Sequence, residues 1–174
     1  MLRRKREAIA TAKSDKAIKA IKKTPKTLNV LALDLATVTG WASNNPRQSG
    51  TYTFDVKRGE SPGMRFLRCN NWLKEIYELL KPLEVIAYEQ AHHRGGAATA
   101  CCVGLVATVQ AFAAEKGIEL MPIHTATLKK FATGSGRASK DDMITAAKNL
   151  GWDPVDDNEA DAELLLEYAL RTVG

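Results

Sequence analysis

Two short apolar runs, each closed by a carboxylate, organise the hydrophobic pattern of this chain. Leu28-Asn29-Val30-Leu31-Ala32-Leu33 ends at Asp34, and Leu83-Glu84-Val85-Ile86-Ala87-Tyr88 ends at Glu89. Runs of this length, rich in β-formers, predict central strands over 28–34 and 83–89 that deliver an acid to the sheet edge. Further strands are predicted over 39–44 and 50–55, joined by the turn Asn44-Asn45-Pro46, so that the first three form an antiparallel meander. Ser61-Pro62 opens a helix of about twenty residues that stops before Pro82. The second acid-capped strand leads into the loop His92-His93-Arg94-Gly95-Gly96, a helix over 97–116 closed by Gly117, and a short strand over 118–122. Helices over 125–132, 139–150 and 159–171 follow, separated by Gly134-Ser135-Gly136 and Asp153-Pro154. This order predicts a mixed α/β sheet covered on both faces.

Composition adds limits. With 174 residues, 45% of them hydrophobic and 26% charged, the chain suits one domain with a real core. No stretch approaches the ~18 uninterrupted apolar residues of a membrane span, so no membrane partner is expected. No apolar core or cleavage site follows the basic start, so no secretory signal is read. Cys69, Cys101 and Cys102 lack metal-ligand spacing; the adjacent pair reads as buried small residues, and a reduced, cytoplasmic setting fits.

Charge divides the chain in two. Residues 1–27 hold ten Lys and Arg against two acids, a balance of +8, whereas 28–174 carry −3. The Ala-, Ile- and Lys-rich stretch 3–23 predicts a basic amphipathic helix ended by Pro25. A basic arm on a mildly acidic body suggests an anionic polymer as partner, and a merely solvated leader has the same composition.

The candidate chemistry lies in the acids. Asp157 and Asp161 stand four apart at the start of an apolar helix and so share a face. Converging with Asp34 and Glu89, they would repel one another unless cations lay between them; such hard oxygen ligands suit Mg²⁺ or Mn²⁺ and hydrolysis of a phosphodiester. Taken singly, Asp34 also reads as a turn-capping residue, and Glu89, harder to explain without a role, as a partner for Arg94. Lys129, Lys130, Arg137 and Lys140 surround the Gly134-Ser135-Gly136 turn, where backbone amides and lysines suit phosphate, although a solvated linker reads the same way. His92, His93 and Arg94 form a loop that either touches nucleic acid or only decorates the surface.

Together, four motifs resemble the RuvC-type Holliday-junction resolvases, in particular their phage-like branch, within the ribonuclease H-like superfamily. They are Leu31-Ala-Leu-Asp-Leu-Ala-Thr-Val-Thr-Gly-Trp-Ala42, Val85-Ile-Ala-Tyr-Glu-Gln90, the segment from Thr127 to Lys140, and Asp157-Asn-Glu-Ala-Asp-Ala162, and the likeness covers about 28–172. The resemblance implies a ribonuclease H-like nuclease domain over 28–174, with a five-stranded mixed sheet, preceded by the arm 1–27. It also implies a homodimer that resolves branched DNA by paired nicks leaving 5′ phosphates, using Mg²⁺, with Mn²⁺ as a substitute and two ions per site. The cell would be a bacterium or a phage-infected host.

By position, Asp34, Glu89 and Asp161 match the family's metal-binding acids. Lys129 and Lys140, eleven residues apart, match its basic residues near the scissile phosphate. The fourth ligand is either Asn158, three before the last acid, or Asp157, one helical turn from it. The first motif reads Asp-Leu-Ala where bacterial members have Asp-Pro-Gly, and His92 stands where some members stack an aromatic residue on a base. Other classes remain beside this reading: a less selective nuclease of the same fold cutting flaps, forks or RNA–DNA hybrids, and a non-catalytic junction-binding protein. An actin-like phosphotransferase would need about twice the length and a second phosphate motif.

Overall fold

The computed structural model describes residues 27–90 and 96–173. The basic stretch up to residue 26, and the loop carrying His92 and Arg94, lie outside the described residues. In chain order the elements are β1 (Val30–Asp34), β2 (Val38–Asn44), β3 (Arg47–Thr53), α1 (Met64–Leu80), β4 (Val85–Glu89), α2 (Gly96–Lys116), β5 (Glu119–Ile123), α3 (Thr125–Thr133), α4 (Lys140–Asn149) and α5 (Asp157–Val173). They build one five-stranded sheet in the order β3-β2-β1-β4-β5. The first three strands are antiparallel, and β4 and β5 join β1 in parallel. This is the mixed α/β sheet expected from the pattern.

Why both central strands read as continuous apolar runs is plain from their surroundings. A strand buried on two faces needs apolar residues at every position, and successive side chains alternate between the faces. Leu31, Leu33, Ile86 and Tyr88 point into a core shared with α1 and α2, built around Trp72, Leu73, Leu105, Val109 and Phe112. Val30, Ala32, Val85 and Ala87 point the other way, into a core shared with α3, α4 and α5, built around Leu128, Met143, Leu164, Leu165 and Leu166. At roughly 2 kcal/mol for each large apolar side chain taken out of water, these two layers dominate the stability of the sheet.

Alternation also fixes where the acids go. Asp34 continues the series Val30, Ala32, and Glu89 continues Val85, Ala87, so both fall on the face covered by α5. The register pairs Leu33 with Tyr88, which leaves Asp34 and Glu89 as the next residues of adjacent parallel strands at one sheet edge.

One departure from the sequence pattern concerns α2. Over Ala98–Lys116 this helix is long and apolar enough, by length and composition alone, to cross a membrane, and only 28% of that window is buried in the molecule. The strict count of uninterrupted apolar residues passed over it because Thr99, Thr108 and Gln110 break the run. Its inward stripe, Cys101, Leu105, Val109, Phe112 and Ala113, is part of the core against α1, so the excess apolar surface lies on its outer face. Cys101 is buried as expected, but Cys102 is only half-buried.

Candidate active site

The carboxyl end of the sheet gathers four acids and two lysines. Asp34 closes β1 and Glu89 closes β4. The amino-terminal turn of α5 contributes Asp157 and Asp161 from above. The placement of α5 depends on a residue that the pattern did not single out. Gly40 of β2 lies opposite Asp34 in register, and a Cβ built there would sit 1.9 Å from the backbone oxygen of Asn158. Only glycine lets the start of α5 settle onto the strand beside Asp34. α5 begins at Asp157, two residues before its expected start. Asp156 accounts for this, since its carboxylate accepts the backbone N–H of Glu159 and so satisfies an otherwise unpaired donor of the first turn.

The acids act on one another. Burial, then the negative charges of Glu89, Asp161, Asp157 and Asp156, hold the Asp34 carboxyl well above the usual carboxylate range. The same two causes, burial first and Glu89 next, push Asp161 up to about 7, against an opposing pull from Lys129 and Lys140. One oxygen of Asp161, Oδ1, is buried and has no hydrogen-bond partner. Asp157 behaves differently: its bond to the Lys140 ammonium keeps its carboxyl below the ordinary value. Glu89 is oriented by Thr125, whose hydroxyl donates to its Oε1; this threonine, at the first position of α3 directly after β5, is a second contributor that the sequence pattern left unmarked.

Both lysines are carried by elements with well-formed ends. α3 stops at Gly134 (φ 79°), whose N–H returns to the carbonyl of Lys130, and Lys129 Nζ donates to the Ala138 carbonyl at 2.8 Å, tying down the segment after the helix. α4 starts with a reciprocal box between Ser139 and Asp142, which sets Lys140 at the first helical position facing Asp157. Lys130 and Arg137 are exposed, and the cations acting on Asp157 and Asp161 are Lys129 and Lys140. Asn158 lies against Gly40 through its backbone.

Among the described residues, no three His, Cys, Asp or Glu side chains are drawn in closely enough to hold a metal ion as they stand. The donor set nonetheless fits a hard divalent cation. Burial, and then the charge of Glu89, keep Asp34 and Asp161 from ionising readily, and Asp161 Oδ1 is a buried acceptor without a partner, so a cation there would offset both.

No protein-family model and no curated protein matches this sequence. Solved structures do match. Thermus thermophilus RuvC superposes with a TM-score of 0.66 at 19% identity, covering 83% of this chain and 95% of that one. T. thermophilus RuvC in complex with Holliday junction substrate gives a TM-score of 0.68 at 18% identity, covering 84% and 95%. The fold is therefore the ribonuclease H-like fold in its RuvC form.

Proposed function

We propose that this chain is a metal-dependent endonuclease that cuts branched DNA, four-way junctions above all, as a homodimer. The observation that carries the reading is the convergence of Asp34, Glu89 and Asp161 at one sheet edge, with their charges coupled and the buried Asp161 Oδ1 unpartnered. Two lysines flank them. One structural neighbour is T. thermophilus RuvC in complex with Holliday junction substrate, which supports DNA of this shape as the substrate.

Asp34, Glu89 and Asp161 would hold Mg²⁺ or Mn²⁺, with Asp157 or Asn158 as the fourth ligand. Such ions supply Lewis-acid charge at the scissile phosphate and lower the pKa of a nucleophilic water. The chain's own groups do the remaining work. Thr125 fixes the rotamer of Glu89, so that the carboxylate is set before substrate arrives. The Lys140 ammonium, largely exposed yet tethered to Asp157, sits where a phosphodiester would approach the acids. Lys129, held by the Ala138 carbonyl, adds a second cation near Asp161. Together they bring substrate anions to a site whose carboxylates alone would repel them.

Paired nicking calls for two copies. The outer face of α2 suits that need: no charged residue occurs from Gly96 to Ala114, and Ala100, Val103, Ala107, Ala111 and Ala114 are exposed along it at helical spacing.

The test is cleavage of an end-labelled four-way junction with and without Mg²⁺, using wild type, Asp34→Asn and Glu89→Gln. Wild type should cut only with the metal. Each variant should lose at least ~10²-fold in rate while still binding the junction, because phosphate contacts position DNA independently of the chemistry. Wild-type rates in either variant would overturn the assignment.

A further inference from the structure

The turn that follows β3 is built more firmly than a surface connection requires. Lys57, Arg58, Gly59 and Glu60 form a β-turn in which the Glu60 N–H donates to the Lys57 carbonyl at 3.1 Å. Gly59, at the third position, has φ 86°, the value that a type II turn demands and that L side chains rarely adopt. Its requirement is conformational, since a Cβ there would meet nothing within 4 Å.

Glu60 then staples the turn twice over. Its Oε2 accepts the Lys57 N–H at 2.8 Å, closing the turn from the other side. Both carboxylate oxygens accept the guanidinium of Arg68 on α1, at 2.8 and 2.7 Å, in a fork-on-fork pair. Arg68 also donates to the Asp55 carbonyl, and its neighbour Arg65 donates from Nε to the Phe54 carbonyl at 3.0 Å, so α1 grips the whole segment 54–60.

The staple consumes the acid and leaves the cations. Lys57 and Arg58 are exposed, and neither is in an ion pair with a described residue. They stand on a body whose net charge is −3. Topology puts them at the working edge. Thr53 at the end of β3 pairs with Val38, and Gly40 on that same strand pairs with Asp34, so the turn leaves the sheet at the edge where the acids lie. Two strand spacings of ~4.8 Å separate β3 from β1, and beyond Thr53 the chain is held by α1, on the sheet face opposite α5.

We propose that the stapled turn Lys57–Glu60 is a preformed contact for the sugar–phosphate backbone of a duplex arm. The proposal rests on the nuclease reading above and adds to it the element that receives the flanking duplex. Holding the turn in place beforehand removes the ordering cost that a free loop would meet on binding.

The experiment measures junction binding by the full-length protein from low to moderate salt in Ca²⁺, alongside single-turnover cleavage in Mg²⁺. The double variant Lys57→Ala/Arg58→Ala removes two phosphate-binding cations. At ~0.9 per phosphate, it should flatten the slope of log affinity against log salt by about 1.8. Its cleavage rate at saturating enzyme should match wild type. Glu60→Gln separates a built contact from bulk charge. It raises the net charge by one, so a mere charge effect tightens binding, whereas loss of the staple weakens it by a fewfold. An unchanged slope in the double variant, or tighter binding by Glu60→Gln, overturns the proposal while leaving the nuclease reading intact. A wild-type protein that neither binds nor cuts junctions overturns both. Circular dichroism of each variant confirms that the comparison is between folded proteins.

Discussion

Asp157 and Asn158 are adjacent in sequence but differ in what they can give to the site. Asp157 carries charge, shares a helix face with Asp161, and is kept ionised by Lys140. Asn158 is neutral, and its backbone is committed to the contact with Gly40. The expected outcome is that Asp157→Asn lowers junction cleavage by at least ~10²-fold, whereas Asn158→Ala lowers it by less than ~10-fold. Single-turnover rates in Mg²⁺ check the order, and the reverse order would make Asn158 the fourth ligand. The acids themselves were legible in the sequence because a carboxylate ending an apolar run, or interrupting an apolar helix face, has no cheap structural reason to be there. The roles of Gly40, which lies within the first motif, and of Thr125 were not legible. Each is defined by a neighbour from a distant part of the chain, Asn158 and Glu89 respectively, and neither leaves a mark on its own local pattern.

On α5 a second acidic pair lies away from the site, and it should make stability depend on pH. Ser49 Oγ of β3 is 2.7 Å from Glu159 Oε1 and 2.8 Å from Glu163 Oε1. A hydroxyl has one proton, so it donates to only one of two ionised carboxylates. Glu163 is fully buried with Oε2 unpartnered, and burial, followed by the charge of Glu159, pushes its carboxyl up to about 7 against the hydrogen bond from Ser49. The sign follows from linkage. A carboxyl raised on folding contributes stability that is fully present below its unfolded pKa near 4.5 and is lost as pH rises through about 7. Wild type, in the absence of divalent ions, should therefore melt at a lower temperature at pH 8 than at pH 5. Glu163→Gln should remove part of that difference and melt higher than wild type at pH 8. Melting curves at the two values decide; a Gln variant destabilised equally at both would show that the carboxyl is not the origin.

The same helix shows why element boundaries were less legible than element types. β3 begins at Arg47 rather than at 50 because the antiparallel partner β2 extends its ladder down to the Asn44–Arg47 pair, although Arg47, Gln48 and Ser49 read as loop. Here a tertiary contact overrides propensity: Arg47 stacks over Trp152 at 3.8 Å and pairs with Glu167 of α5. Docking of α5 on β2 should be correspondingly unforgiving at Gly40. Contact between a Cβ and a backbone oxygen is not sustained below about 3 Å, so Gly40→Ala, at 1.9 Å, must displace the start of the helix by about 1 Å. A shift of that size at a catalytic group costs ~10²-fold. The variant should therefore lose cleavage out of proportion to any fall in melting temperature, and a variant that retains wild-type cleavage would mean that α5 relaxes without moving Asp161.

At the scale of the whole molecule, the sheet has its acids at one edge, its two cores on opposite faces, and one helix whose outer surface is left over. α2 is apolar nearly all round, and a helix of that kind is stable in water only when both of its faces are covered. Its inner face meets α1 and the sheet; the outer face, with Ala100, Val103, Ala107, Ala111 and Ala114, runs for roughly 20 Å at 1.5 Å per residue. Small side chains at this spacing let a second helix approach closely, so two copies packed through α2 would bury the face and fix the separation of the two carboxylate sites. Ala107→Glu places an unpaired charge in the middle of that contact. Sedimentation should show wild type as a dimer and the variant as a monomer, while the variant keeps its fold by circular dichroism. In a plasmid-borne junction, where one nick leaves a circle and two nicks linearise it within a single encounter, the variant should give nicked circles almost alone. Dimeric sedimentation of Ala107→Glu would move the interface to another surface, and sedimentation of wild type with lipid vesicles would assign the α2 face to a membrane instead.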